Sequence, residues 1–324
     1  MRRFSFYVLV AALGSALLSA CGGSNGSLPS SGGATGGVVP AALQPAAAAK
    51  GRIYSSSYGA NTVDYYLKGS GPNNPVAGSL QGDFNNPEGL AIDKRGNIYV
   101  PNGNGQNIFV YAKGSSSPTL TLQDPKYFPA DVAVSPDDGT VYVANSGGFI
   151  GASGDVLIYP QGASNPAQTL SNGYFLHVEG VALDAKGNVY VSCNAGMGGG
   201  TGNVVEFPKG LSIGLNRHIR LGFAGGVGFD RQGHLLVMDE SKPSLNVYAA
   251  GKNKPLHKFA LPGASRYFAF NRDSSLLYVA DYDLGEIDVY RYSPNSLTQT
   301  NTITNGIVAS NYNLGIAVDP PQQR

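Results

Sequence analysis

Three carboxylates fall at nearly the same place in three successive copies of a short motif. Glu88, Asp131 and Glu179 stand at or beside the start of Pro87-Glu-Gly-Leu-Ala-Ile-Asp93, Pro129-Ala-Asp-Val-Ala-Val-Ser135 and Val178-Glu-Gly-Val-Ala-Leu-Asp184. Carboxylates gathered on one axis are hard oxygen donors that can hold a charge or exchange a proton, or they can solvate an opening and neutralise an arginine. The remaining copies carry Gly225, Arg266 and Leu314 at the aligned position, so one guanidinium enters the same neighbourhood. His177, just before Glu179, is placed to act as a base there, although a lone histidine more often packs or hydrogen-bonds.

Positioning such groups requires a repeated scaffold, and the motif recurs roughly every 45 residues to the end of the chain. Later copies read Ala224-Gly-Gly-Val-Gly-Phe-Asp230, Ser265-Arg-Tyr-Phe-Ala-Phe-Asn271 and Asn313-Leu-Gly-Ile-Ala-Val-Asp319. Their small and apolar alternation suits an innermost strand packed around an axis. Asp93-Lys-Arg-Gly96, Asp184-Ala-Lys-Gly187 and Asp230-Arg-Gln-Gly233 then form turns. In each, the aspartate can bond its own backbone and the glycine is free to take positive φ. Second strands follow at 98–100, 141–143, 189–191, 235–237 and 277–279, and third strands at 108–111, 156–159, 204–207, 245–248 and 287–290. Weaker fourth strands are expected at 119–122, 168–170, 218–221, 257–261 and 298–303. Each unit is a four-stranded antiparallel blade. The chain of 324 residues has 45 Gly, 19 Tyr and no Trp, a composition of many short strands and tight turns.

The last motif has no second strand after it, while 51–54 and 62–66 read as second and third strands without a first. The two fragments complete one blade, which predicts an all-β, six-bladed β-propeller closed by pairing of its terminal strands. The chain resembles NHL-repeat and gluconolactonase-like six-bladed propellers, on the Pro-Glu-Gly-Leu-Ala-Ile-Asp and Gly-Asn-Ile-Tyr-Val motifs. The resemblance speaks for fold more than function, since such propellers host hydrolases and binding modules alike. It implies a divalent cation, calcium or another, held by Glu88, Asp131 and Glu179 with Asn194 or Asn145, polarising a lactone carbonyl and activating water.

Sorting loops by face puts Asn102, Asn145, Asn194, Asp281, Asp283, His177 and Arg266 with the three carboxylates on one acidic, Asn-rich rim, the expected ligand or partner surface. The opposite rim collects Lys94, Arg95, Lys186, Lys209, Arg231, Lys252 and other cations. Asp281-Tyr-Asp-Leu-Gly-Glu286 lacks the regular spacing of a calcium loop and reads as a solvated turn. His218, His234 and His257 form no cluster, and Cys193 reads as structural. Two long Gly- and Asn-rich loops, 145–155 and 193–203, could cap the opening or grip a partner.

Residues 1–20 form a signal segment, with Arg2 and Arg3 before an apolar run and Leu18-Ser19-Ala20-Cys21 closing it. That ending resembles a bacterial lipobox, which implies a lipid on Cys21, a membrane anchor, and an extracytoplasmic location at the outer membrane or cell surface. Residues 21–50 are a Gly/Ser/Ala/Pro tether and 51–324 the propeller. The tether enters at the start of a second strand, on the basic rim, so that rim is expected to face an anionic membrane. A formal net charge of +1 with 13% charged residues argues against nucleic acid as a partner. The reading is a monomeric binding or scaffolding module for an envelope protein or glycan, with a metal-dependent lactonase-like hydrolase as the alternative.

Overall fold

The computed structural model describes residues 51–124, 128–147, 153–195 and 201–323. The signal segment, Cys21 and the tether lie outside the described residues, as do 148–152 and 196–200 of the two long loops.

Twenty-four strands among the described residues form six four-stranded antiparallel sheets. This is the expected six-bladed propeller. The inner strands are Asn313–Val318, Ala91–Ile92, Phe128–Val134, His177–Leu183, Ala224–Phe229 and Ser265–Phe270, in blades 1 to 6. Their outer neighbours follow in chain order, and the cores lie between blades. Tyr54, Val63 and Leu80 of blade 1 pack with Leu90, Ile98 and Tyr111 of blade 2, for example. Aromatics at the ends of third strands reach across these seams. The Tyr111 hydroxyl donates to the Gln81 carbonyl and the Tyr159 hydroxyl to the Gln123 carbonyl, each at 2.9 Å, so each buried ring keeps a partner for its polar tip.

The turns after the inner strands behave as their composition dictates. Asp93 Oδ1 accepts from the Arg95 and Asn97 amides, and Asp184 and Asp230 repeat the arrangement. Gly96, Gly187 and Gly233 all lie near φ +80°, which a side chain would resist (φ 88°, 81° and 82°).

Blade 1 joins both ends of the described chain. Asn313–Val318 pairs antiparallel with Arg52–Ser57, matching Ile53 to Val318 and Tyr54 to Ala317. The seam is polar at its upper end. The Gly315 amide donates to Ser56 Oγ at 2.8 Å, and that hydroxyl donates to the Glu88 carbonyl at 2.5 Å, tying blade 1 to blade 2.

One strand departs from expectation. Blade 4 ends on Leu215–Asn216 rather than on 218–221. Asn216 Oδ1 accepts the His218 amide at 2.6 Å and His218 takes φ 55°, so the chain turns out of the sheet before 218. Only Leu221 returns, through a single bridge to Gly202.

A Cβ on Gly315 would stand 2.0 Å from the Glu88 carbonyl oxygen and 2.5 Å from Ser56 Oγ, whereas nothing lies within 4 Å of one on Gly173. Gly315→Ala is therefore expected to destabilise by about 2–3 kcal/mol and Gly173→Ala to be nearly neutral, read as urea midpoints. Equal midpoints would contradict the seam's close packing.

Candidate functional site

The axial site is built by a fault that repeats in all six blades. Near the upper end of each inner strand, one extra residue breaks the register with the second strand. It falls between Pro129 and Asp131, between Val178 and Gly180, and between Ser265 and Phe268, for example. Blades 1 and 5 shift at the same place, and in blade 2 three residues lie opposite two between the Pro87–Asn102 and Ala91–Tyr99 pairs. Such a bulge re-aims side chains that strict alternation would send to the blade faces. At the bulge's second position four blades have Gly89, Gly180, Gly226 and Gly315, and the other two have Asp131 and Tyr267. A Cβ on Gly89 would meet Asp131 Oδ1 at 2.3 Å, and one on Gly226 would meet the Tyr267 ring at 2.9 Å. The glycines leave the room those two side chains fill.

Around them the charged groups interlock. Arg266 Nη1 lies 3.4 Å from Glu88 Oε2 and 3.5 Å from Glu179 Oε2, while its Nε donates to Glu240 Oε1 at 3.0 Å. Tyr282 donates to Glu240 Oε2 at 3.0 Å. The Tyr267 hydroxyl is within reach of three acceptors, the Glu179 carbonyl at 2.8 Å, the Ala130 carbonyl at 2.9 Å and Glu88 Oε2 at 3.2 Å. It has a single proton to give. Burial raises the Glu88 carboxyl above its ordinary value, against the pull of Arg266 and of the Tyr267 hydroxyl. Burial likewise pushes Glu179 up to about 8 against Arg266, and Asp131 up to about 8 against the Val181 amide that donates to it at 3.0 Å. Burial alone would lower Arg266, but Glu240, Glu179 and Glu88 hold it well above its ordinary value. His177, lowered by burial and by Arg266, has its Nδ1 3.4 Å from Ser146 Oγ.

This arrangement does not fit the cation cage expected of Glu88, Asp131, Glu179 and Asn194. Arg266 occupies the space between the two glutamates, Asp131 faces the far side of the Tyr267 layer, and Asn194 is spent on the next blade. Its Oδ1 accepts the Ala224 amide at 2.8 Å and its Nδ2 donates to the Ala224 carbonyl at 3.0 Å. Among the described residues no group of three or more His, Cys, Asp or Glu side chains is arranged to hold a metal ion.

The rim residues expected to meet a partner also have structural posts. Asn102, Asn145 and Asp281 are buried at the ends of second strands. Asn102 accepts the Asn85 amide and donates to the Asp83 carbonyl, Asp281 Oδ1 accepts the Leu284 amide at 2.9 Å, and Asn145 donates to Asp155. Incoming loops carry backbone amides that burial would otherwise orphan, and Asn102 and Asp281 satisfy two of them. Asp283 is exposed and accepts the Ala264 amide at 3.0 Å. What this rim presents instead is aromatic. Tyr58 packs on Phe128 at 6.3 Å and Tyr282 on Tyr312 at 5.9 Å, and the Tyr58 amide donates to the Tyr312 carbonyl, making one arc beside Arg266. The sequence reading missed Tyr267 and Tyr282; Tyr267 was detectable as the one aromatic in a column of glycines.

Below the Tyr267 layer the axis opens into a cavity of about 920 Å³. The inner strands wall it, Asp131 and Tyr267 floor it, and the turns bearing Lys94, Arg231 and Arg272 surround its mouth.

Ring, bulged inner strands and filled axis define a six-bladed β-propeller. No protein-family model matches the chain, and no curated protein matches its sequence. It is similar in shape to a chain in a nidogen/laminin complex, with TM-score 0.63, 12% identity, and coverage of 83% of this chain and 98% of that one. It is also similar to a chain of hydrazine synthase from Kuenenia stuttgartiensis, with TM-score 0.55, 14% identity, and coverage of 74% and 72%. At these identities the likeness concerns fold alone, and 1281 solved chains match, so the fold selects no activity.

Asp131 binds its proton more tightly folded than unfolded, so its contribution to stability is full below the ordinary carboxylate range and is lost as pH rises to about 8. The urea midpoint should fall between pH 5 and pH 8.5. Asp131→Asn, which keeps an acceptor for Val181, should make that fall shallower. An unchanged slope would remove Asp131 from the account.

Proposed function

We propose that this protein is a lipid-anchored, extracytoplasmic propeller that binds an envelope protein or glycan through the rim above Arg266. The propeller fold is consistent with a binding or scaffolding module, and the nidogen/laminin complex places a chain of this shape in a protein assembly. The observation that carries the reading is the contrast at the axis. Arg266 ties Glu88, Glu179 and Glu240 together and Asp131 accepts a backbone amide, whereas the aromatic arc from Phe128 through Tyr58 and Tyr312 to Tyr282 remains half-buried to exposed. Rigid aromatics beside asparagines such as Asn61, Asn86 and Asn104 offer flat apolar contact with hydrogen bonding, the pairing used by recognition surfaces. The anchor rests on the Leu18-Ser-Ala-Cys21 sequence and the tether that follows it.

The lactonase-like alternative asks Glu88 and Glu179 to release Arg266 before they can hold a cation, and the raised affinity of both for protons opposes that at neutral pH. Two measurements test the proposal. Cys21→Ser should abolish incorporation of labelled fatty acid and release the protein from membranes. Tyr58→Ala with Tyr282→Ala should weaken binding to the best ligand of an envelope-glycan or envelope-protein screen by about tenfold or more. Lactone turnover abolished by Glu179→Gln, with binding unaffected by the tyrosines, would replace this reading with the hydrolase.

A further inference from the structure

We infer that the opposite rim of blades 4 and 5 docks on an anionic lipid surface, with the loop 208–214 as its apolar contact; this rests on the membrane-anchored reading above. The observation is a juxtaposition that composition alone hides. Leu211 and Ile213, 57% and 74% exposed, stand on the connection between Gly202–Phe207 and Leu215–Asn216 of blade 4. Leu256, 48% exposed, stands on the equivalent connection of blade 5. Large apolar side chains exposed on the matching connections of two successive blades, on one face, signal an interaction surface rather than ordinary scatter.

The loop is also held in place. The Leu211 amide donates to the Pro208 carbonyl at 2.9 Å, closing a turn in which Gly210 takes φ 79°. Gly214 packs so closely on Val205 and Phe207 that a Cβ would come within 2.9 Å of both. Beside it a groove of about 740 Å³ runs past Tyr142, Ile158 and Phe207, so the apolar surface continues inward.

Charge selects the partner. Exposed Lys186, Lys209, Arg231, Lys252 and Lys254 flank the apolar tips. Among the described residues the acids at this end of the two blades are engaged: Asp184 and Asp230 by the amides of their own turns, Asp230 also by His234 and Tyr292, and Glu206 by Arg217 at 3.2 Å. Asp137 of blade 3 lies 3.7 Å from Lys209, and both are largely exposed, so the pair costs the lysine little of its reach. The rim as a whole is less one-sided than its lysines suggest, because Asp137, Asp138 and Asp273 on blades 3 and 6 are exposed. Blade 2, with exposed Lys94, Arg95 and Lys113, carries a similar excess of cations, and blades 4 and 5 add Leu211, Ile213 and Leu256 to theirs. Apolar tips amid lysines match a bilayer with anionic headgroups, where side chains insert at the interface and cations meet lipid phosphates. The geometry of the chain agrees, since Gly51 and Arg52, through which the N-terminal segment enters the ring, lie on the same rim, the Lys68 amide donating to the Gly51 carbonyl.

The test uses the chain from Ala47 onward, which forms one compact unit and carries no lipid-modified cysteine. It should sediment with phosphatidylcholine vesicles containing phosphatidylglycerol, and much less with phosphatidylcholine alone. Leu211→Ser with Ile213→Ser should weaken that binding about tenfold or more. Lys209→Gln with Lys252→Gln should weaken it roughly fivefold per charge and reduce its salt dependence. Thermal melts matching the parent's would establish that the variants are folded. Failure of the parent to sediment, or binding by the Leu/Ile variant equal to the parent's, overturns the docking surface whatever the fate of Cys21. Loss of the fatty-acid label in the full chain with vesicle binding retained overturns only the anchor.

Discussion

Six strand edges converging on one axis leave little room, and the molecule depends on how that space is shared. A residue added near the top of every inner strand turns two successive positions toward the centre instead of one. Side chains at every one of those positions would collide, so glycine fills most of the lower layer, and Asp131 and Tyr267 occupy what the glycines vacate. The buried ion network follows. Once Tyr267 closes the centre, Arg266 on the adjoining residue is forced up among Glu88, Glu179 and Glu240, which need a countercharge because burial has stripped them of water. A single aromatic therefore divides the axis into a charged upper plug and a lower cavity.

The architecture was legible because it is written in periodic signals. Alternation within strands, the Asp and Gly of the turns and the complementary fragments at 51–66 and 313–319 each state a local preference, and the ring is the one arrangement satisfying them together. Where local chemistry overrode the pattern, the reading slipped. The apolar 219 and 221 suggested a strand in blade 4, but the Asn216 side chain captured the His218 amide and turned the chain first.

The site was less legible, for a specific physical reason. Sorting loops by face treats a charged or amide residue as a surface residue, and in this ring the loops descend toward the axis carrying backbone amides with them. Asn102, Asn194, Asp239 and Asp281 sit at strand ends where those amides would otherwise be buried without partners. Asp239, for instance, accepts from both Gly222 and Phe223. A rim that looks acidic and Asn-rich in sequence is in large part a set of internal braces. Sequence spacing could bring Glu88 and Glu179 to the same level, as it did, but could not say that Arg266 reaches both. That depends on the bulge, whose trace in the sequence is only a column of glycines.

The same distinction between counted and available charge applies to the other rim, with the opposite result. Asp93, Asp184 and Asp230 are consumed by turns, each holding two amides in place, whereas the lysines beside them sit on long stems that no turn requires. Turn chemistry therefore removes acid from the surface and leaves base. The same turn recurs in blades 2, 4 and 5, so in those blades the asymmetry follows from what the turn itself requires. What folding does not require is an isoleucine and a leucine held clear of the core beside those lysines, and such side chains make a general electrostatic bias into a local, oriented surface.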